Sequence, residues 1–391
     1  VNTKTNAIYL DHNASTPCDP RVVEAMLPFF GEVFGNPSSR NHGPGREAFS
    51  ALEAARDTVA KCLSARSATE VVFTSGASEG NNLALIGTAR GLGAGRRHLV
   101  TQATEHPSVL EPLRWLERSG WELTVVGVDG GGRIRLDELD EALRDDTAIL
   151  SLMLANNETG TIQPVREAAE MVHRRGALLH CDAAQGAGKI TFDVDELGVD
   201  LLTVSSHKVC GPKGIGALYL RRSTPPLKLT PVIHGGGHEN GLRSGTPNVP
   251  GAVGLARALE IAVGEVAEDA ARMAELRDHF ESVVLDALEH CTVNGSTSHR
   301  LPNTSNLSFA GIEGDALLAS LPDLAISTGS ACSSNDPGAS PVLRAMGISK
   351  KLASASVRVS LGRFTNALDI DRAARRIIDE VQRLRGLTRH P

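Results

Sequence analysis

LLTVSSHKVCGPKGIGALYL, residues 201–220, holds two apolar runs separated by a polar turn. Leu201–Val204 reads as a buried strand that ends in Ser205-Ser206-His207-Lys208. Gly211-Pro212-Lys213-Gly214 carries the turn residues, and Gly216–Leu220 reads as a second strand. Working outward, the same kind of run recurs as VVFTS from Val71, HLVTQ from His98, ELTVVGV from Glu122, AILSLML from Ala148 and ALLHCDA from Ala177. Helical patterns separate several of them, among them Phe49, Leu52, Val59, Cys62 and Leu63 on one face, and REAAEMVHRRG from Arg166. Asp19-Pro20 reads as an N-cap followed by Pro at the first helical position, with Val22, Val23, Met26 and Leu27 forming the apolar face. Continuous apolar strands alternating with helices predict an α/β fold with a mainly parallel sheet covered on both faces, its ligand chemistry in the loops beyond the strand ends.

After a Gly/Pro/His-rich stretch, 234–250, the pattern changes. Long amphipathic helices are expected over 253–290, then a strand at Asn306–Phe309, a small-residue loop around Cys332, and a strand through Val357, Val359 and Leu361. A final helix is striped by Ile370, Ala374, Ile377, Ile378, Val381 and Leu384. The expected division is a large α/β domain over 1–255 and a smaller α+β domain over 256–391 carrying the Cys332 loop; residues 1–20 could pack with the smaller one.

At 391 residues, with 41% hydrophobic and 22% charged residues, the chain can bury a sizeable core. A net charge of −6 argues against a strongly basic nucleic-acid binder, so no direct nucleic-acid binding is expected. No apolar run is long enough for a membrane span, and the first residues lack an apolar signal-peptide core. Six cysteines without a C-x-x-C pair suggest neither a disulfide framework nor a zinc ribbon. The expectation is a cytoplasmic protein with no metal site.

Only eight lysines are present, and Lys208 stands at a strand end, where burial would disfavour its ammonium form and help it form Schiff bases. Ser205, His207 and Lys208 together suit an anionic, carbonyl-bearing ligand. Asp182 ends another apolar strand, ahead of Gln185; a buried carboxylate needs a cationic partner, or else caps the following helix. Gly76-Ala77-Ser78-Glu79-Gly80 follows the strand from Val71 and opens a helix, which makes a phosphate cup from backbone N–H groups and the Ser78 hydroxyl. The same five residues match the G-x-S-x-G elbow of serine hydrolases, and Asp182 followed by His207 or His238 matches the chain order of a triad. His106, in Thr104-Glu105-His106-Pro107, could stack on a planar ligand and move protons. Asn156-Asn157-Glu158 is a polar cluster after a strand. Arg358 and Arg363 flank a strand and could hold a carboxylate bidentately. Cys332, in a loop of small polar residues, is a candidate nucleophile, whereas Cys62 and Cys181 fall in apolar runs and Cys210 is ambiguous.

Together these segments resemble the cysteine desulfurases of the NifS/IscS type, within the class-V aminotransferase family of fold-type-I pyridoxal-phosphate enzymes. The resemblance runs from YLDHNASTP at Tyr9 through the Gly76 cup, Thr104-Glu105-His106, Asn156-Asn157-Glu158, Asp182…Gln185 and SSHKVCGPKGIGALY. It continues through GGGHENGLRSGTPNVPG, GSACSS and SVRVSLGRFT. It implies that Lys208 carries pyridoxal 5'-phosphate covalently and later shuttles protons, that Asp182 pairs with the pyridine nitrogen and that His106 stacks on the ring. Asn157 and Gln185 would bond its hydroxyl side. Ala77, Ser78, Ser205 and His207 would hold the phosphate with Thr246 from a second subunit, so a homodimer is implied. Arg358 would bind the carboxylate of L-cysteine, with Asn157 beside it. Cys332 would take the sulfur as a persulfide, leave L-alanine, and pass sulfur to a protein acceptor in iron–sulfur assembly, tRNA thiolation or DNA phosphorothioation. Ser78 stands where many relatives have Thr and keeps the hydroxyl. Two other readings stand beside this one: a serine hydrolase using Ser78, and a persulfide carrier or assembly subunit active only with a partner.

Overall fold

The computed structural model describes residues 7–92, 95–222, 227–328 and 339–389. Its strands are β1 (Ile8–Tyr9), β2 (Val71–Thr74), β3 (His98–Gln102), β4 (Glu122–Val126), β5 (Thr147–Ser151), β6 (Leu178–Asp182), β7 (Leu201–Ser205), β8 (Gly216–Leu220), β9 (Cys291–Val293), β10 (Thr304–Phe309), β11 (Leu324–Ala325) and β12 (Ser356–Ser360). Each of the seven apolar runs read from the sequence forms one strand of a single sheet, in the order β2-β8-β7-β6-β5-β3-β4. Only β8 runs antiparallel to its neighbours.

Side chains alternate between two cores, which is what a sheet covered on both faces requires. Val100, Leu150, Leu202 and Val204 pack on one face against the helices Gly43–Cys62, Val165–Arg174 and the first part of Val249–Ala287. Leu99, Ile149, Leu201 and Leu218 pack on the other, against Ala77–Leu92 and Pro107–Arg118. A further core gathers Leu10, Phe280, Phe309, Val357, Leu361, Ile370 and Ile377 around the antiparallel sheet β12-β10-β9 and the helix Ala367–Arg389. The N-terminal strand β1 pairs in parallel with β11, and Leu10 lies in this second core.

Two local expectations change. The helical stretch from 253 to 290 is one 39-residue helix, Val249–Ala287. After Pro250 it contains no proline, and Gly264 faces open space, so nothing interrupts the backbone ladder. The face proposed for Val22, Val23, Met26 and Leu27 is only partly covered. Val22 is buried, while Val23 and Leu27 are 42% and 60% exposed. Pro28 ends this helix at Met26 and starts a new turn, Pro28–Gly31, which turns Leu27 outward.

The carboxyl ends of β3, β5, β6 and β7 share one edge of the sheet. Because β8 is antiparallel, β2 points the same way as β7, so its end reaches that edge too. The residues that follow those strands form the site.

Candidate active site

A cleft of about 560 Å³ opens at this edge, lined by residues following each of those strands together with Asn13, Lys213 and Arg358. Its volume falls within the range of small-molecule sites.

The chain leaves β2 through Ser75 and Gly76 and enters the helix Ala77–Leu92. Gly76 has φ +150° and packs against Gly216 so closely that a Cβ on Gly216 would lie 2.8 Å from the Gly76 Cα. A glycine at 216 is what lets the turn sit down on β8. The N–H groups of Ala77 and Ser78, first in the helix, have no partner within it, and both residues line the cleft with Ser205 and His207. Glu79 also lines the cleft, its charge paired with Arg243 at 2.8 Å and one oxygen accepting the Ser75 N–H.

Asp182 ends β6 and is buried. Its carboxylate accepts from Asn81 Nδ2 at 2.7 Å and from the Ala184 N–H at 2.9 Å, and no cation among the described residues pairs with it. Asn81 Nδ2 also donates to Ser108 Oγ, 2.9 Å away, and that hydroxyl lies 2.8 Å from His106 Nδ1. His106 caps the helix Pro107–Arg118, its Nδ1 accepting the Ser108 N–H at 3.1 Å. Burial lowers the His106 pKa, opposed by Asp182 and assisted by Lys208. The neutral ring therefore carries its proton on Nε2. Beneath it, Glu105 is fully buried, and desolvation holds its carboxyl well above the usual range while it accepts from Met153 N–H and Gln102.

Lys208 follows β7 in a single tight turn, Ser206–Lys208, and is half-buried rather than sunk in the core. Its Nζ donates to the carbonyls of Asn13, 2.5 Å away, and Ala14, 2.9 Å away. The deeply buried amine is Lys189, which donates to Gln185 Oε1 at 2.8 Å and Asn13 Oδ1 at 3.1 Å. Asn13 joins many of these groups: its carbonyl also accepts from Gln185 Nε2, and its own Nδ2 donates to the Asn157 carbonyl.

Arg358, on β12, is buried. One Nη donates to the Asn157 carbonyl at 2.9 Å and the other to Asp11 at 2.7 Å, while Nε has no partner among the described residues. Arg363, the other candidate, is consumed by Asp19 and Asp269 and faces a smaller cavity.

Cys332 lies outside the described residues. On its two sides, Ser327 pairs with the Arg358 backbone, and Ser340 donates to Glu158. The five described cysteines all have thiols pushed up in pKa chiefly by burial, Cys62 and Cys291 to about 11, which leaves them poor thiolate nucleophiles near neutrality. Thr246 is exposed and is not part of the cleft wall formed by its own chain.

The elbow reading fails on geometry. Ser78 is the second residue of a regular helix and has no positive φ. Asp182 bonds Asn81 and Ala184 rather than a histidine, and His238 is engaged by the Gly245 N–H. The sequence reading gave no role to Asp11, Asn13, Asn81, Ser108 or Lys189. Asn81 and Ser108 stand beside quoted motifs, and Asp11 and Asn13 lie within the quoted YLDHNASTP, but nothing local marks their partners, and nothing marks Lys189.

The donor set fits pyridoxal phosphate: a reachable amine, a buried carboxylate that no cation among the described residues pairs with, a helix start with free N–H groups, and His106 and Ala184 on the cleft wall. A sequence profile of the aminotransferase class-V family matches residues 8–373. "Cysteine desulfurase IscS" of Anaeromyxobacter sp. (strain Fw109-5) is 48% identical over 97% of this chain and 94% of its own length. Among solved structures, a NifS-like protein superposes with a TM-score of 0.90 at 38% identity, covering 97% of this chain and 100% of that one. SspA in complex with cysteine superposes with a TM-score of 0.80 at 36% identity, covering 92% and 99%. The chain belongs to the aminotransferase class-V family, within its cysteine desulfurases of the NifS/IscS type.

Proposed function

We propose that this chain is a pyridoxal-phosphate-dependent L-cysteine desulfurase, which converts L-cysteine and the Cys332 thiol into L-alanine and a Cys332 persulfide. The observation that carries this reading is the meeting of Lys208, Asp182, His106 and Arg358 in the cleft that also holds the Ala77–Ser78 helix start. When bound, pyridoxal phosphate supplies an electron sink that weakens bonds next to the substrate's α-carbon. Lys208 would hold it covalently and, once released, move a proton at Nζ; the carbonyls of Asn13 and Ala14 give that amine a place to rest.

Asp182 would face the pyridine nitrogen, where a protonated ring gives the carboxylate the cation it lacks. His106 would cover the ring face, with Asn157 and Gln185 at its hydroxyl edge. Ala77, Ser78, Ser205 and His207 would hold the phosphate. Arg358, held by Asp11 and Asn157, would bind the substrate carboxylate. The Cys332 thiolate forms the S–S bond as the substrate's C–S bond breaks, and a proton returned to carbon completes alanine. An acceptor thiol then takes the outer sulfur and restores Cys332.

The reading extends to a cytoplasmic homodimer and a protein sulfur acceptor. Exposed Leu27, Phe30 and Phe34, and an exposed Thr246 that does not line its own cleft, support a second copy. Free cysteines suit a reducing compartment. Residues 1–255 would form the cofactor-binding part and 256–391 the part that brings Arg358 and Cys332. The test is to load the protein with pyridoxal phosphate, supply L-cysteine, and assay alanine together with a persulfide mapped to Cys332. Equal yields of the two support the reading; alanine without persulfide on Cys332 refutes it.

A further inference from the structure

Lys189 is 7% exposed and pairs with no carboxylate among the described residues. A buried amine without a counter-ion is unfavourable, and here two more cations stand nearby. Burial, then Lys208 and Arg358, pull its pKa down to about 7. The other titratable groups around it give little relief. His12 and Cys210 share a small cavity with Lys189 and Lys208. Burial lowers His12 to about 4 and raises the Cys210 thiol, so both are uncharged near neutrality. Asp269 is paired with Arg363, and Asp182 and His106 lie on the larger cleft.

The amine holds the oxygen end of the Gln185 amide, while the Asn13 carbonyl holds its nitrogen end; Asn13 is also oriented by Asn303 Nδ2 on its Oδ1. A Gln or Asn side chain fits nearly the same space with its oxygen and nitrogen exchanged, so only its partners decide which end faces where. An amine offers donors, so Gln185 Oε1 and Asn13 Oδ1 must both face Lys189. The Gln185 Nε2 then points the other way, where one hydrogen reaches the Asn13 carbonyl at 2.9 Å. Gln185 is part of the cleft wall, and its second N–H remains for a ligand. Two N–H bonds suffice, so the orientation holds whether or not the amine is protonated.

We infer that Lys189 is a positioning residue that locks the Gln185 amide with its nitrogen toward the cleft, so that the ring oxygen of the bound cofactor meets a donor rather than a carbonyl. The inference rests on the cofactor reading above. It predicts that losing Lys189 leaves the amide held by the Asn13 carbonyl alone, loosens the placement of its nitrogen and makes ionisation of that ring oxygen harder.

The test follows the visible absorption of the holoprotein against pH. Lys189→Met should keep bound cofactor and raise the midpoint by about one pH unit. Lys189→Gln, whose amide can still donate to Gln185, should stay within about 0.3 unit of the unaltered protein. Gln185→Leu should shift the midpoint upward, and adding Lys189→Met to it should change nothing more. The inference is overturned if Lys189→Met leaves the midpoint unmoved, if Lys189→Gln shifts as far as Lys189→Met, or if the two changes add in full. Lys189→Met alone can overturn the inference, and Lys189→Gln then separates the donor's effect from the loss of charge. An unaltered protein that never develops the absorption band would instead overturn the cofactor reading itself.

Discussion

On one wall of the cleft a buried carboxylate, Asp182, is held by Asn81 and a backbone N–H, beside a neutral imidazole that shares the Ser108 hydroxyl. On the other, Lys208 and Arg358, with Lys189 lining the smaller cavity next to Lys208, rest largely on carbonyl and amide oxygens, and Arg358 also pairs with Asp11. The Asp182 wall is made from the large sheet and its flanking helices alone. The cationic wall is tied together by Asn13, which bonds groups near residues 157, 185, 208 and 303, and so links the two cores. The difference separates two tasks. A fixed negative charge suits a permanent cation in the cofactor, whereas cations resting on neutral oxygens can be drawn to a substrate carboxylate or released to move a proton.

Among the described residues neither wall contains a reactive thiol, and the largest effect concerns Cys332. Cys332→Ala should retain the cofactor's absorption and its change on adding L-cysteine, yet lose sulfur release by about 10³-fold or more; normal sulfide production would place the nucleophile elsewhere. Asp182→Asn, which removes the negative charge of its wall, should lower kcat by about 10²–10³-fold with cofactor still bound. On the opposite wall, Arg358→Lys should raise KM for L-cysteine by about tenfold with a smaller change in kcat, since an ammonium cannot match a planar carboxylate with two parallel bonds. A fall in kcat with KM unchanged would remove Arg358 from substrate binding. Asn81→Ala takes one of two donors from Asp182 and the amide donor from Ser108 and should cost about 1–3 kcal/mol in urea unfolding; an unchanged midpoint would show that water replaces the amide.

The smallest effect concerns Glu158, whose carboxyl burial raises from 4.5 to about 7 despite the Ser340 hydroxyl and Arg358. The folded protein then holds a proton that the unfolded chain releases, so this residue's contribution to stability falls as pH rises from about 4.5 through 7. Glu158→Gln should therefore gain on the unaltered protein between pH 5 and pH 8. A constant difference across that range would mean that Glu158 titrates normally.

Much of this was legible before the structure. All seven strands of the large sheet appear as short apolar runs; those covered on both faces have no polar alternation to blur them, and the edge strand β4 is the partly exposed one. The strand ends then announced Asp182, His106 and Lys208. The strands β1, β9 and β11 were not legible, since two or three residues are too few to set a period. Asn81 lies fully buried in a helix whose other buried residues are mostly apolar, and only its contact with a carboxylate 101 residues away explains it. Lys189 drew no reading from the sequence; its burial goes with a bond to Asn13 in the N-terminal segment, a long-range contact that no local pattern encodes. The expectation of a desolvated amine was right in kind but fell on Lys208, when the fold buries Lys189 instead.

The most direct test is to reduce the pyridoxal-phosphate-loaded protein with borohydride, digest it, and locate the modified lysine by mass spectrometry. The account predicts a single pyridoxyl group on Lys208, with none on Lys189 or Lys213. Modification of Lys189, or a protein that is never labelled, would contradict it.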